Sequence, residues 1–284
     1  MLALAITITA HWGSLAPSWS LELVLAGAVG VISGMCSGFC GVSPGGPLVV
    51  LSTLVLGAGQ HLAQGVSLAA QIPPTGLSGI KRYRTEGARC PLGWVFWLGA
   101  GFLLGGAAGA IGAAHVSGLV LRWSYVGYLG VLNGLLIFRT AAPRTASDNS
   151  NSDRGRRTGG PALSAVGILA GLSSGYLGIG GGLAVVAGLS AGLKIPQHQA
   201  QLVSLVLSII PATIPAAYIY WREGFLPSWP VLIVVIGGLW LGTDLGARLA
   251  LRLSGTTLHR VLIVMVGAMT VYMTWRALAP APQP

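Results

Sequence analysis

Charge is scarce in this sequence. Aspartate, glutamate, lysine and arginine make up 8% of its 284 residues, against roughly 25% in a soluble domain. So little charge cannot coat a globule for water, which excludes an ordinary soluble protein and leaves a polytopic membrane protein. Acid is scarcer still, with six carboxylates against sixteen lysines and arginines. The net charge of +10 is not a nucleic-acid footprint, because the basic residues sit in loops and there set membrane topology. Cysteine is nearly absent, and Cys36, Cys40 and Cys90 make no disulfide framework. HExxH, Walker and CxxC patterns are missing, so neither a soluble-type enzyme nor a cofactor is expected. The first residues, MLALAITITAHWGSLAPSW, lack a basic n-region, so a cleaved signal peptide is not expected. Trp12 and Trp19 are read there as interface anchors.

Glycine and proline are abundant, at 44 and 16 residues, which suits membrane helices better than soluble ones. One polar stretch stands apart, RTAAPRTASDNSNSDRGRRTGGP, residues 139–161. It has no apolar period and is expected to be a flexible loop outside the bilayer. It divides the chain into a first membrane repeat, 1–138, the polar linker, 139–161, and a second membrane repeat, 162–284.

The halves are copies. QHLAQGVSL begins at Gln60 and QHQAQLVSL at Gln197, an offset of 197 − 60 = 137. The same offset pairs Ser67 with Ser204, Pro74 with Pro211, and YRTEG at Tyr83 with YWREG at Tyr220. It also pairs Gly105, Gly109 and Gly118 with Gly242, Gly246 and Gly255. SGMCSGFCGVSPGGPLVV, residues 33–50, has the partner AGLSSGYLGIGGGLAVV, residues 170–186, one residue shorter past the alignment point. Each half carries five apolar segments, about 22–41, 46–57, 62–80, 92–113 and 119–138, then about 162–178, 182–193, 199–220, 229–250 and 258–277. The third, fourth and fifth of each half approach the ~20 residues that a span needs. The second is too short to cross comfortably.

The first two segments share a tight Gly/Pro link and form one hairpin, so each half crosses an odd number of times and the second is inverted. With the linker in the cytoplasm, this arrangement puts every lysine and arginine inside except Arg122, Arg222 and Arg276. A parallel repeat would move Lys194, Arg248, Arg252 and Arg260 out and bring only Arg222 and Arg276 in, a poorer split. The expected fold is an all-α polytopic membrane protein of two inverted five-segment repeats, each with a glycine-rich broken-helix hairpin. Both termini are then outside.

Broken helices at matching places in inverted repeats point to a transport site near the bilayer midplane. After Pro44-Gly45-Gly46 and after Gly180-Gly181-Gly182 a short helix starts, with free N–H groups and the positive dipole end. Two such starts make an anion site without a buried formal charge. The candidate substrate-binding residues are Gly41, Ser43, Gly45 and Gly46 with Gly178, Gly180, Gly181 and Gly182. Gln64, Ser67 and Gln71, on one helical face, and their counterparts Gln201, Ser204 and Ser208 complete the set. Their amides and hydroxyls either donate to an oxyanion or tie helices together. Asp244, inside an apolar segment, is the candidate for proton coupling, and the plainer alternative is a pair with Arg248. His61 and His198 are read as helix-start residues.

These residues carry a family resemblance. The chain resembles the sulfite exporter TauE/SafE family, also called the toluene sulfonate uptake permease group, over both halves. The likeness rests on SGYLGIGGGLAVV, QAQLVSL, YWREG and GARLALRL in their duplicated order. Ser43-Pro44 departs from it where glycines are expected. The resemblance implies a proton-linked secondary carrier that exports small sulfur-containing anions such as sulfite or organosulfonates. Its partners would be a small anion, the lipid bilayer and a second copy of the chain, in a bacterial-type inner membrane. Two other readings remain: an anion channel, and a thiol-dependent membrane protein relaying sulfur or electrons through Cys36 and Cys40. Ser173 and Leu177 stand at the matching places of the second half, which weakens the thiol reading.

Overall fold

The computed structural model describes residues 19–40, 43–73, 91–141, 159–193, 195, 197–207, 213–250 and 255–278. Every element among them is a helix. Gly41, Ser208, Cys90, and the charged loop residues 81–89 and 142–158 lie outside the described residues.

In chain order the helices are α1 (Trp19–Cys40), α2 (Gly45–Val55), α3 (Gln60–Ala70), α4 (Leu92–Ala114), α5 (Gly118–Ala141), α6 (Gly160–Leu177), α7 (Gly182–Ala187, extended by a π turn over Gly188–Gly192), α8 (Gln197–Leu207), α9 (Ile214–Arg222), α10 (Trp229–Ala250) and α11 (Gly255–Leu278). Their boundaries follow local chemistry. Pro91, extended at ψ 123°, opens α4, where its missing N–H costs nothing. Gly178, left-handed at φ 71°, closes α6.

Four described helices are long and apolar enough to cross a membrane: Leu21–Phe39, α4, α6 and Trp229–Leu249. The third segment of the first half differs from the expectation of ~20 residues. The helix α3 ends after 11 residues; α8 is described over 11 residues to Leu207, and α9 begins at Ile214 after residues 208–212, which lie outside the described residues. Proline accounts for the end of α3: Pro73 stands three residues past Ala70. A proline removes a backbone donor and clashes with the preceding turn. The short second segments behave as expected. At 11 residues α2 is about 16 Å long, against a hydrocarbon core of ~30 Å.

Element boundaries repeat at one spacing. The starts of α2, α3, α4 and α5 (45, 60, 92, 118) and of α7, α8, α10 and α11 (182, 197, 229, 255) differ by 137 residues each time. The spacing continues through the hairpin, so Gly45 matches Gly182 and the second copy is not one residue shorter.

Two helix pairs dominate the packing, α1 with α10 and α4 with α6. Both are built on glycine. A Cβ added at Gly30, Gly34 or Gly38 would collide with the backbone oxygens of Val235, Leu239 and Thr243. One added at Gly167, Gly171 or Gly175 would collide with those of Leu98, Phe102 and Gly106. Each of these contacts lies 137 residues from its counterpart. Numbers rise together along both pairs, so their helices run parallel. The third long pair, α5 with α11, runs antiparallel: Asn133 faces Gly267, and Arg122 lies within electrostatic reach of Arg276.

Side chains of α4 and α10 that face outward are large and apolar, among them Phe96 (67% exposed), Leu104 (70%), Ile233 (64%) and Leu241 (66%). A band of this kind would drive association in water, and it suits a hydrocarbon surround.

Candidate functional site

The two broken hairpins cross. A Cβ placed on Gly45, at the start of α2, would lie 2.5 Å from the backbone of Ile179 and 2.7 Å from Gln71 Nε2. One on Gly180 would overlap Gln71 Oε1 and Ser43 Oγ. One on Gly182, the first residue of α7, would sit 3.2 Å from Ser43 Cβ and 3.4 Å from Ser204 Oγ. Ser43, Gly45 and Gln71 from the first half thus meet Gly180, Gly182 and Ser204 from the second.

The backbone explains why glycine recurs here. Gly178, Gly180 and Gly181 have φ of 71°, 76° and 65°, a left-handed region where a side chain is strained. Three such residues within four positions turn the chain from α6 into α7. Successive N–H groups in such a loop form an anion-binding concavity.

Hydroxyls hold the crossing together. Ser67 Oγ donates to Gly178 O at 2.5 Å and is 3.3 Å from Gly45 O, so it touches both hairpins. Ser204 Oγ donates to Gly182 O at 3.1 Å, the same bond 137 residues on. Ser43 Oγ donates to Gln71 Oε1 at 2.6 Å, while Gln71 Nε2 donates to Ser67 O at 2.8 Å. Tyr125 OH donates to Gly46 O at 2.9 Å. Tyr220 OH donates to Gln64 Oε1 at 2.8 Å and lies 3.2 Å from Gly175 O.

The electrostatic consequence is one-sided. Carbonyls of Gly45, Gly46, Gly178 and Gly182 receive hydroxyl donors, whereas the first N–H groups of α2 have no intrahelical acceptor. Gln64 is fully buried and its Nε2 has no partner. None of these side chains carries a formal charge. The crossing offers donors and dipoles, which suit a small anion.

Of the residues singled out from sequence, the structure brings together Ser43, Gly45, Gly46, Gln64, Ser67, Gln71, Gly178, Gly180, Gly182 and Ser204. Gly181 lies against the Phe102 ring. Gly41 and Ser208 are outside the described residues, and so is the side chain of Gln201. Asp244 stands elsewhere, on α10. It pairs with Arg248 at 2.7 Å, and the two side chains are 54% and 73% exposed. His61 pins three elements: its Nε2 is 3.2 Å from Ala113 O and 3.1 Å from Val116 O, and its ring stacks on Phe225 at 4.6 Å. The side chain of His198 is outside the described residues. Cys36 is a partly buried free thiol on α1. Tyr125 and Tyr220 were not foreseen as part of the site. A buried phenol must find an acceptor, but which carbonyl it finds depends on tertiary packing.

The spelling G-x-S-x-G occurs at 41–45, 171–175 and 188–192. It marks a nucleophile only at a strand-to-helix turn, and all described elements here are helices. Among the described residues no three His, Cys, Asp or Glu side chains gather to hold a metal. A cavity of about 200 Å³ opens between Trp221, Leu226, Trp229 and Leu232, and none of the hairpin residues lines it.

The model of the family described as "Sulfite exporter TauE/SafE" matches residues 25–273. The chain belongs to the sulfite exporter TauE/SafE family. That match spans both hairpins, three of the four apolar helices whole and the first from residue 25 onward. A "Probable membrane transporter protein" of Xylella fastidiosa strain Temecula1 is 29% identical over 264 residues, covering 89% of this chain and 94% of the relative. A protein of the same description from strain 9a5c is 31% identical over 195 residues, covering 66% of this chain and 72% of the relative. No solved structure matches. Membership in the TauE/SafE family, together with the apolar helices, makes this a multi-pass membrane protein of a transporter family.

Proposed function

We propose that this chain is a secondary carrier of small sulfur-containing anions, such as sulfite or organosulfonates, and that it binds them where the two hairpins cross. The observation that carries the reading is the meeting of Ser43, Gly45 and Gln71 with Gly180, Gly182 and Ser204 in a place rich in donors and free of formal charge. A tetrahedral or pyramidal oxyanion needs several convergent donors and no buried cation, and short helix starts and glycine nests supply them. The halves are read as inverted repeats, the linker as cytoplasmic and both termini as external. The repeated glycine contacts, the parallel α1–α10 and α4–α6 pairs and the antiparallel α5–α11 pair support a two-fold axis lying in the membrane plane.

Gly182→Val tests the site. Gly182 is right for this purpose because α7 begins there and its neighbours are the flexible Ser43 and Ser204 side chains. At Gly181 the left-handed backbone would confound the result. Thermal unfolding of purified protein is followed with sulfite, sulfate, thiosulfate, sulfonates and matched carboxylates. The wild type is expected to be stabilised by sulfur oxyanions and Gly182→Val by none. Equal stabilisation in both would sink the site.

Proton linkage and export belong to the same proposal, with Asp244 as the proton acceptor. Taking up a proton there means breaking the pair with Arg248. Asp244→Asn is expected to keep anion-induced stabilisation and to lose flux driven by a pH gradient in proteoliposomes. Gradient-driven flux at the wild-type rate would remove Asp244 from the mechanism.

A further inference from the structure

A pair of arginines at the far end of α2 has no counter-charge among the described residues. Arg122 lies one turn before Tyr125 on α5, and Arg276 one turn after Met273 on α11. Tyr125 and Met273 belong to one buried cluster, and α5 and α11 are antiparallel, so both guanidinium groups emerge at the same end of this helix pair. Arg276 is held in place by neutral acceptors: Nη1 donates to Thr53 O and, at 3.1 Å, to Tyr272 OH, and Nη2 donates to Ala58 O at 3.1 Å. It thereby caps the negative end of α2, and among the described residues no carboxylate pairs with it.

Arg122 is half-buried, and its Nε has no partner. The two cations act on one another through the protein. The described carboxylates are Glu22, Glu223 and Asp244, and the ion pair among the described residues joins Asp244 to Arg248. Two half-buried like charges raise each other's energy, and an orphaned charged donor adds to that cost. An oxyanion between them removes both penalties, since guanidinium forks match its oxygens.

We propose that Arg122 and Arg276 form a second anion site, distinct from the hairpin crossing, which takes one phosphate-like or sulfate-like group between their guanidinium planes. Thr53 is eight residues along α2 from Gly45, so about 12 Å of helix separates the two sites. The group is either a free inorganic anion or the phosphate of an acidic lipid headgroup, and the chemistry of recognition is the same. In sequence the 137-residue offset sets Arg139 against Arg276 and His259 against Arg122, so the counterpart pair also takes one basic residue from each of the two segments.

The test uses full-length protein with Gly182→Val, which closes the hairpin site, and the double variant Gly182→Val/Arg122→Gln. Inorganic phosphate and short-chain phosphatidylglycerol are titrated separately and thermal unfolding is read. Gly182→Val protein is expected to be stabilised by at least one probe. Loss of the Arg122 fork should raise that probe's half-effect concentration by about tenfold or more. Response to phosphate identifies a free anion, and response to the lipid alone identifies a headgroup. Should the glutamine variant not fold, Arg122→Lys in the same background keeps charge but not the fork, and the same rise is expected. Stabilisation by neither probe in Gly182→Val protein, or equal half-effect concentrations with and without Arg122, overturns the second site. Either result leaves the hairpin reading untouched, because that is judged on Gly182 alone with the sulfur oxyanions.

Discussion

Gly175→Ala is expected to cost the protein its fold, although helix propensity alone favours the change. Alanine is better than glycine inside a helix by about 1 kcal/mol. At Gly175 that gain meets the backbone of α4, because the new Cβ would overlap Gly106 O and lie 2.9 Å from Gly106 C. No side chain there can swing aside; the helices themselves must part. Separation also opens the contacts at Gly167 and Gly171 on the same stripe, so the penalty exceeds the about 1–3 kcal/mol of ordinary overpacking. Gly237→Ala is the control, on a helix at a place where nothing lies within 4 Å. It should be neutral or mildly stabilising. The measurement is the yield of monodisperse protein after detergent extraction, with the melting temperature of what survives. Gly175→Ala protein as abundant and as stable as Gly237→Ala would refute backbone contact between α4 and α6.

Gly180→Ala is expected to stop transport while leaving a folded protein. The residue has φ 76°, and a Cβ there would overlap Gln71 Oε1 and Ser43 Oγ. A left-handed alanine costs about 1–3 kcal/mol wherever it occurs, so strain needs its own control. Gly224 has the same φ of 76° with nothing within 4 Å. Gly224→Ala carries the strain without the collision and should transport normally. In Gly180→Ala protein the Ser43–Gln71 bond must break and both side chains must move out of the crossing. Flux of the best-stabilising sulfur anion in proteoliposomes should fall by about tenfold or more, equivalent to roughly 1.4 kcal/mol in the rate-determining complex. Equal flux in the two variants would mean that the crossing is not on the transport route.

Much of this arrangement was legible in the sequence because residue identity recurs at one spacing. The breaks before Gly45 and before Gly182 were visible as paired interruptions, and Ser67 and Ser204 as paired hydroxyls. The structure gives those two serines the same bond, to Gly45 O and Gly182 O. The short α2 followed from segment length, and the pairing of Asp244 with Arg248 from their one-turn spacing. What stayed hidden depends on contacts across the chain. Tyr125 has Leu262 at its matching position, so comparison of the halves could not mark it. Tyr220 does match Tyr83, but its partner Gln64 lies 156 residues away. Glycines at 105, 109, 242 and 246 served as alignment marks, and their meaning as contact surfaces appears only once the partner helix is known. The third segment of the first half reads as a single span because apolar character continues past Pro73, whereas α3 ends at Ala70.

The glycine pairs also say what can move. A contact made of backbone against backbone has no side chains to rearrange, so α1 travels with α10 and α4 with α6, or neither member moves. Each pair takes one helix from before residues 142–158 and one from after them. The stiff bodies of this molecule are therefore not the halves written along the chain; each is stitched from both. The short helices α2 and α7, held at their crossing by hydroxyls such as Ser67 and Ser204, belong to neither glycine-packed pair.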